Sequence, residues 1–341
     1  MVAAVLDTAA VDRWLGSNVP GFRGPSRAEK FAGGQSNPTF RLSAPSGEYV
    51  LRRKPPGELL KSAHAVDREF RVQRALANTD VPVSTMHALC EDDGVIGSMF
   101  YVMDFVAGRN FDDPRLTDVS LDERTAIYDD MNRVVAAIHS VDIDAVGLSD
   151  FGRAGNYYRR QIDRWIKQYR ASETETIAEM EELIAYVDGD APYDDGRVSL
   201  VHGDFRMDNL LFAIDAPRCI AVLDWELSTI GHPFADLAAI LMQWRMPPGR
   251  QGRGLEGVDR ASLGLPSDDA FVDAYCARTG LSGIDKLNFY VAFTFFRMAA
   301  IIQGVKKRGL DGNASNPERA AEIGALVPVY ARKGIEAARH G

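Results

Sequence analysis

The stretch 199–226, SLVHGDFRMDNLLFAIDAPRCIAVLDWE, decides the reading of this chain. It opens on an apolar step, turns through His202-Gly203-Asp204, reaches Asn209, and then passes through two short apolar segments to Asp224. Residues 210–213 and 219–223 read as strands, with Asp215, Ala216 and Pro217 as the turn of a hairpin. Phosphoryl transfer asks a protein mainly for positioning. A carboxylate has to orient or deprotonate the attacking hydroxyl, and hard oxygen ligands have to hold magnesium against the phosphates. An Asp and an Asn on one tight loop, plus a second Asp at the end of the next hairpin, supply those groups.

The order HxDxxxxN followed by Leu223-Asp224-Trp225-Glu226 resembles the aminoglycoside phosphotransferase and choline kinase-like family, which shares the protein-kinase fold. That resemblance implies Asp204 as catalytic base, Asn209 and Asp224 as magnesium ligands, and His202 as a brace of the loop. The stretch 231–238, GHPFADLA, is similar to the family's GDPxxDLA segment and implies that Asp236 holds the catalytic loop rather than touching substrate. The likeness covers roughly residues 31–307. Within it, KPPGELLKSAHAVDREF at 54–70 and the catalytic stretch look closest to a subgroup associated with acyl-CoA dehydrogenases, linked to phosphorylation of hydroxylated acyl chains.

Supporting motifs lie upstream. Gly33-Gly34-Gln35-Ser36-Asn37 is a glycine turn whose backbone N–H groups can approach phosphate oxygens closely. The resemblance assigns Gly34, Gln35, Ser36 and Asn37 to the ATP triphosphate. No GxxxxGK[ST] is present, which excludes a P-loop. EYVLRR at 48–53 reads as a strand. The resemblance places the phosphate-binding cation at Arg52, where most kinases carry Lys. Strand alternation sets Lys54 on the same face, so both assignments stand at this point. Glu69, on the next helix, is the natural partner of that cation. FYVMDFV at 100–106 resembles the kinase hinge, which implies backbone pairing of Asp104 and Val106 with adenine and Met103 behind it. His139 closes the helical run VVAAIHS and reads as structural.

The texture changes along the chain. Helices are expected at 9–16 and 64–77 among strands, and then at 121–140, 157–170, 173–187, 269–279, 286–307 and 318–339. This is an α+β pattern. With the resemblance it implies a bilobal protein-kinase-like fold: a small β-rich nucleotide-binding lobe over 1–104, and a large helical lobe over 105–341 carrying the catalytic loop and substrate pocket. Residues 249–264 read as a Gly-rich loop.

Composition narrows the partners. A net charge of -9 opposes nucleic acid, and the basic clusters at 52–54 and 306–308 are too short to reverse that. Three cysteines without a CxxC pair argue against a disulfide framework or a zinc site and for a reducing cytoplasm. Residues 1–10 lack the pattern of a signal peptide. The apolar run 287–305 contains Arg297 and reads as a buried helix, so no membrane partner is expected. A homodimer is left open. The function expected is an ATP- and Mg2+-dependent kinase acting on a hydroxylated small molecule, with a hydroxyacyl-CoA as one acceptor. A catalytically weak nucleotide-binding module and an antibiotic kinase are the alternatives. Trp225, Trp244, Arg245 and Arg297 are candidates for the acceptor pocket. They are aromatic and basic rather than acidic, which suits an anionic or amphiphilic acceptor better than a polycation.

Overall fold

A computed structural model describes residues 6–31, 37–55, 65–249, 253–314 and 316–339. The chain runs α1 (Thr8–Asn18), β1 (Arg27–Lys30), β2 (Thr39–Ala44), β3 (Gly47–Arg53), α2 (Val66–Leu76), β4 (Met86–Cys90) and β5 (Phe100–Asp104). Helices α3 (Leu121–His139), α4 (Tyr157–Ser172) and α5 (Ala178–Gly189) follow. Next come β6 (Ser199–Val201), β7 (Leu210–Phe212), β8 (Cys219–Val222) and β9 (Thr229–Gly231). The remainder is helical: α6 (Phe234–Trp244), α7 (Asp268–Thr279), α8 (Leu287–Leu310), α9 (Pro317–Gly324) and α10 (Val327–Arg339). Strands dominate early and helices late, the α+β order expected from the sequence.

Two compact units emerge. The described residues of Met1–Asn110, Asp144–Leu148 and Asn209–Ser228 form the first; Phe111–Ile143, Ser149–Asp208 and the rest from Thr229 form the second. The boundary therefore cuts the stretch 199–226 between Asp208 and Asn209.

The first unit is an antiparallel sheet in the order β1-β2-β3-β5-β4, with the β7–β8 hairpin as a separate ribbon. Period-two alternation sorts its side chains. Leu51, Phe100 and Val102 face α1, where Val11 and Leu15 complete a core, and Trp14 meets Phe100 edge-on at 5.0 Å. Val66 and Phe70 of α2 pack with Tyr101, and Met86 and Met103 lie against them. Arg52 pairs with Tyr101 across β3 and β5, while Leu51 pairs with Val102.

The second unit is built on α8, which packs against α10, α9, α6, α4 and α5. Alone among the described helices, α8 is long and apolar enough to cross a membrane; two thirds of its most apolar window (67%) is buried. Its aromatic residues bury Tyr158 and Phe234 beside them, with Tyr290 centred 4.7 Å from Tyr158 and 5.3 Å from Phe234. Helix starts follow local chemistry. Ser120 accepts the Glu123 N–H at 3.3 Å and Ser267 accepts the Ala270 N–H at 3.1 Å, each satisfying an otherwise orphaned donor.

Two expectations are corrected here. The helix expected over 318–339 is two helices, because Pro328 has no N–H to give the carbonyl four residues back and its ring clashes there. The helix expected from 173 begins at Ala178. Gln303 of α8 donates to Ser172 O at 2.8 Å and Thr174 Oγ1 at 3.1 Å, which holds that connection out of helical register.

Candidate functional site

In the first unit the β7–β8 hairpin brings two oxygen donors to its open end. Leu210 pairs with Val222, and the Leu223 N–H donates to Asn209 O at 2.8 Å, so Asn209 and Asp224 flank the same ribbon. Asp224 lies in the left-handed region, φ 61° and ψ 62°, a conformation Asp tolerates better than most residues. Behind the hairpin, Gly108 is tightly enclosed. A Cβ there would meet Leu211 Cγ and Phe212 O at 2.6 Å, so only glycine lets this segment lie against β7.

Arg52 connects the sheet to the hairpin. Its Nε is 2.8 Å from Glu69 Oε2, and its Nη2 is 2.8 Å from Asp224 Oδ1 and 3.6 Å from Glu226 Oε2. The Glu69 carboxylate also accepts from Asn37 Nδ2 at 2.8 Å and from the Tyr101 hydroxyl at 3.0 Å. Burial pushes Glu69 up, to about 7, against the pull of Arg52 and the Tyr101 hydroxyl. Burial likewise opposes the Arg52 charge, but Glu69, Asp224 and Glu226 outweigh it and hold the guanidinium above its ordinary range. Lys54 turns elsewhere: its Nζ is 3.7 Å from Asp67. Of the two cations left open by the sequence, Arg52 is the one in contact with Glu69.

A cavity of about 320 Å³ opens beside Arg52. Val50, Met103, Leu211 and Leu223 form apolar walls, and Arg52, Asn209 and Asp224 give it a polar end. Asp104 and Val106 line it too. The Asp104 N–H is spent on Thr85 O at 2.9 Å, so only its carbonyl is available to a ligand edge. Gly34, Gln35 and Ser36 lie outside the described residues; Asn37, next to them, is buried and holds Glu69.

Magnesium fits this donor set in one way. Among the described residues no group of three or more His, Cys, Asp or Glu side chains is arranged to hold a metal. Asn209 and Asp224 offer hard oxygens for a cation that keeps its waters and phosphate ligands, which is how Mg2+ is usually held.

In the second unit β6 pairs antiparallel with β9 and delivers the chain to His202. Asp236, buried on α6, accepts the His202 N–H at 2.7 Å and the Gly203 N–H at 2.8 Å. Its Oδ2 is also 3.2 Å from His139 Nε2, and His139 Nδ1 is 2.8 Å from the Tyr275 hydroxyl. Gly203, at φ +87°, permits the sharp turn that aims both amides at one carboxylate. His202 is fully buried and accepts the Asp204 N–H at Nδ1, 3.3 Å away. Asp204 itself is partly exposed and stands 3.3 Å from Arg206 Nε. Arg206 reaches Asp208 at 3.2 Å as well, and Asp208 also pairs with Arg253. This arrangement holds a partly exposed carboxylate on a turn fixed from behind.

Arg206, Asp208 and Arg253 were not read from the sequence as parts of the loop. The one local signal was an arginine two residues after Asp204. Two acceptor-pocket candidates are corrected. Trp225 is buried in the first unit with its Nε1 donating to Val222 O at 2.9 Å, and Trp244 is buried between Tyr128 and Phe271. Both are core. Arg245 pairs with Asp268 at 2.9 Å, and Arg297 lies over Trp165.

A small antiparallel sheet with a following helical region, a buried ion pair beside one hairpin and a braced HGD turn, defines a kinase-like protein. The chain belongs to the phosphotransferase enzyme family, whose sequence profile matches residues 27–290. It is 47% identical over 294 residues to acyl-CoA dehydrogenase family member 10 of Mus musculus, covering 86% of this chain and 27% of that protein. The chain spans less than half the length of the curated relatives it matches, 27% to 43% for the first three. A crystal structure from Ralstonia eutropha, provisionally assigned as an aminoglycoside phosphotransferase, is 48% identical with TM-score 0.91, covering 98% of this chain and 99% of that one. A thermostable mutant of the aminoglycoside phosphotransferase APH(4)-Ia, solved in ternary complex with ADP and hygromycin B, shares the fold. There the identity is 17% and the TM-score 0.63, covering 97% of this chain and 100% of that one.

Proposed function

We propose that this chain is an ATP- and magnesium-dependent phosphotransferase acting on a hydroxyl of a small molecule. The observation that carries the reading is the pair Asn209 and Asp224 at one hairpin end, with Arg52 against Asp224 and an apolar slot alongside. Bound Mg-ATP supplies the transferable phosphoryl group. Arg52 offsets phosphate charge with a planar fork suited to oxyanions. Asp204 orients the acceptor hydroxyl and takes up its proton, and Asp236 keeps the loop that carries Asp204 in place. The slot suits a flat ring whose anionic tail points toward Arg52.

For the acceptor we favour a hydroxylated acyl compound carried as a thioester. The support is the subgroup resemblance at 54–70 together with the acyl-CoA dehydrogenase names of the relatives. An aminoglycoside would need several carboxylates to offset ammonium desolvation. A catalytically weak nucleotide-binding module is the second reading, favoured by Arg52 standing where most kinases carry Lys and by its contact with Asp224.

Mg-ATP at a hundredfold excess over Kd should raise stability by about 2.7 kcal/mol, and ATP without magnesium by less. Calorimetric melting checks this, and mass spectrometry of a hydroxyacyl-CoA incubated with enzyme and Mg-ATP checks transfer. The absence of both a melting shift and a phosphorylated product would sink the kinase reading. A shift without product from any acceptor would leave the weak-module reading standing.

Arg52→Ala should raise the ATP KM or lower kcat by about 1.5–3 kcal/mol of lost charge-assisted contact, and Lys54→Ala by much less. Steady-state kinetics of the two variants decide between them. A larger defect in Lys54→Ala would transfer the phosphate role to Lys54.

A further inference from the structure

The helical unit carries a basic strip along α4 and α8. In α4, YYRRQIDRWIKQYRAS, residues 157, 160, 161, 164 and 165 recur at helical spacing on one side. Asp163, the one carboxylate of α4, pairs with Arg159, and Arg170 pairs with Glu173 and Glu181. Helix α8 has no Asp or Glu in its 24 residues. Arg297 of α8 sets its guanidinium carbon 5.8 Å from the Trp165 ring centre, and Arg164 does so at 5.4 Å. The Arg297 Nε is buried without a hydrogen-bond partner among the described residues. Arg160 donates to the backbone carbonyls of Ala154 at 3.3 Å and Arg153 at 2.6 Å. Arg278, Arg332 and Arg339 of the same unit each hold a carboxylate. Among the described residues Arg160, Arg164 and Arg297 hold none, in a chain whose net charge is -9.

Tyr157 joins this strip to the catalytic loop. A Cβ added at Gly231 would lie 2.7 Å from the Tyr157 ring and 3.2 Å from Val201, so the ring rests on β9 and β6 just before His202. Burial pushes the Tyr157 phenol up; Arg297, Arg160 and Arg164 pull it down, and Asp236 acts with burial. The three cations and the loop-holding carboxylate thus share one electrostatic neighbourhood.

We propose that Arg164 and Arg297, with Arg160 beside them, bind a phosphate-bearing handle of the hydroxylated acceptor, while Trp165 and Tyr157 cover the apolar part next to it. The assignment rests on the phosphotransferase reading and specifies its acceptor. Guanidinium forks grip phosphate oxygens in pairs, and an aromatic face beside them shields apolar substrate from water. A polycationic acceptor is repelled by the same strip.

Isothermal titration of the full chain, its nucleotide site saturated with Mg–AMP-PNP, tests this. Coenzyme A is the phosphate-bearing probe and pantetheine the control without phosphate. The Kd for coenzyme A should rise at least about tenfold in Arg164→Gln and in Arg297→Gln, with pantetheine unaffected. Arg164 is exposed, so its variant keeps the test valid should Arg297→Gln fail to fold. Unchanged coenzyme A affinity in Arg164→Gln overturns the proposal, as does equal weakening of pantetheine. Inorganic phosphate binding the wild type as tightly as coenzyme A would mark a simple phosphate site and overturn the link to the acceptor. Failure of the kinase reading registers separately: coenzyme A still binds through the arginines, but no acceptor is phosphorylated.

Discussion

Asp204→Asn is expected to lower kcat by ~100- to 10,000-fold, the usual contribution of a positioned general base, while sparing Mg-ATP affinity. Asn keeps the shape and one acceptor oxygen but cannot take the hydroxyl proton. The loop should survive the change, because it is held from behind. Asp236 fixes the amides of His202 and Gly203, and His202 fixes the amide of Asp204. Asp224→Ala should behave in the opposite way and lose metal-dependent nucleotide binding. Titrating both variants with Mg-ATP separates the roles, and equal loss of affinity in the two would contradict this division.

Asp236→Ala should cost several kcal/mol of folding stability, about 1–3 kcal/mol for each buried donor left without its acceptor. Two backbone amides and His139 would lose their acceptor at once, in a site closed to water. Against a typical total of about 5–15 kcal/mol this is a large fraction. Urea denaturation measures it, and Asp236→Asn, which keeps one oxygen for the amides, should lose less. The pH dependence has a definite sign. Burial alone would raise the Asp236 pKa, but His139, His202 and the Gly203 amide outweigh it and hold the carboxyl below its ordinary range. A lowered folded-state pKa gives stability that is fully present above the unfolded value, near 4, and lost as pH falls through the folded one. Wild type should therefore shed this contribution below about pH 4, and Asp236→Ala should show a shallower acid limb. A variant within about 1 kcal/mol of wild type would mean that the turn is held by something else.

The loop and hairpin of the stretch 199–226 were legible because their signals are local: one turn, one hairpin, fixed spacing. Glu69 as partner of the β3 cation was legible from its place on the next helix, while alternation left Arg52 and Lys54 both open until the structure set Arg52 against Glu69. The contact of Arg52 with Asp224 spans 172 residues of sequence and has no local signal. Helix α6 passed unread because FADLAAILMQW is apolar on nearly every side, and its one acid points inward. Strand β1 is four mostly exposed residues, and β6 and β9 are three residues each, too short for alternation to register. Trp225 and Trp244 misled because an indole serves a core as readily as a pocket. Which one it does depends on neighbours such as Phe271, distant in sequence.

The buried cysteines have a practical consequence. Cys90 and Cys219 lie in the first unit and Cys276 in the second, and all three are buried thiols outside any disulfide. An alkylating reagent reaches such a sulfur when its surroundings open, so labelling rates read the opening of each unit by itself. Peptide mapping after timed exposure to iodoacetamide turns native side chains into two independent clocks. With ATP or acceptor present, the clock that slows names the unit that the ligand closes.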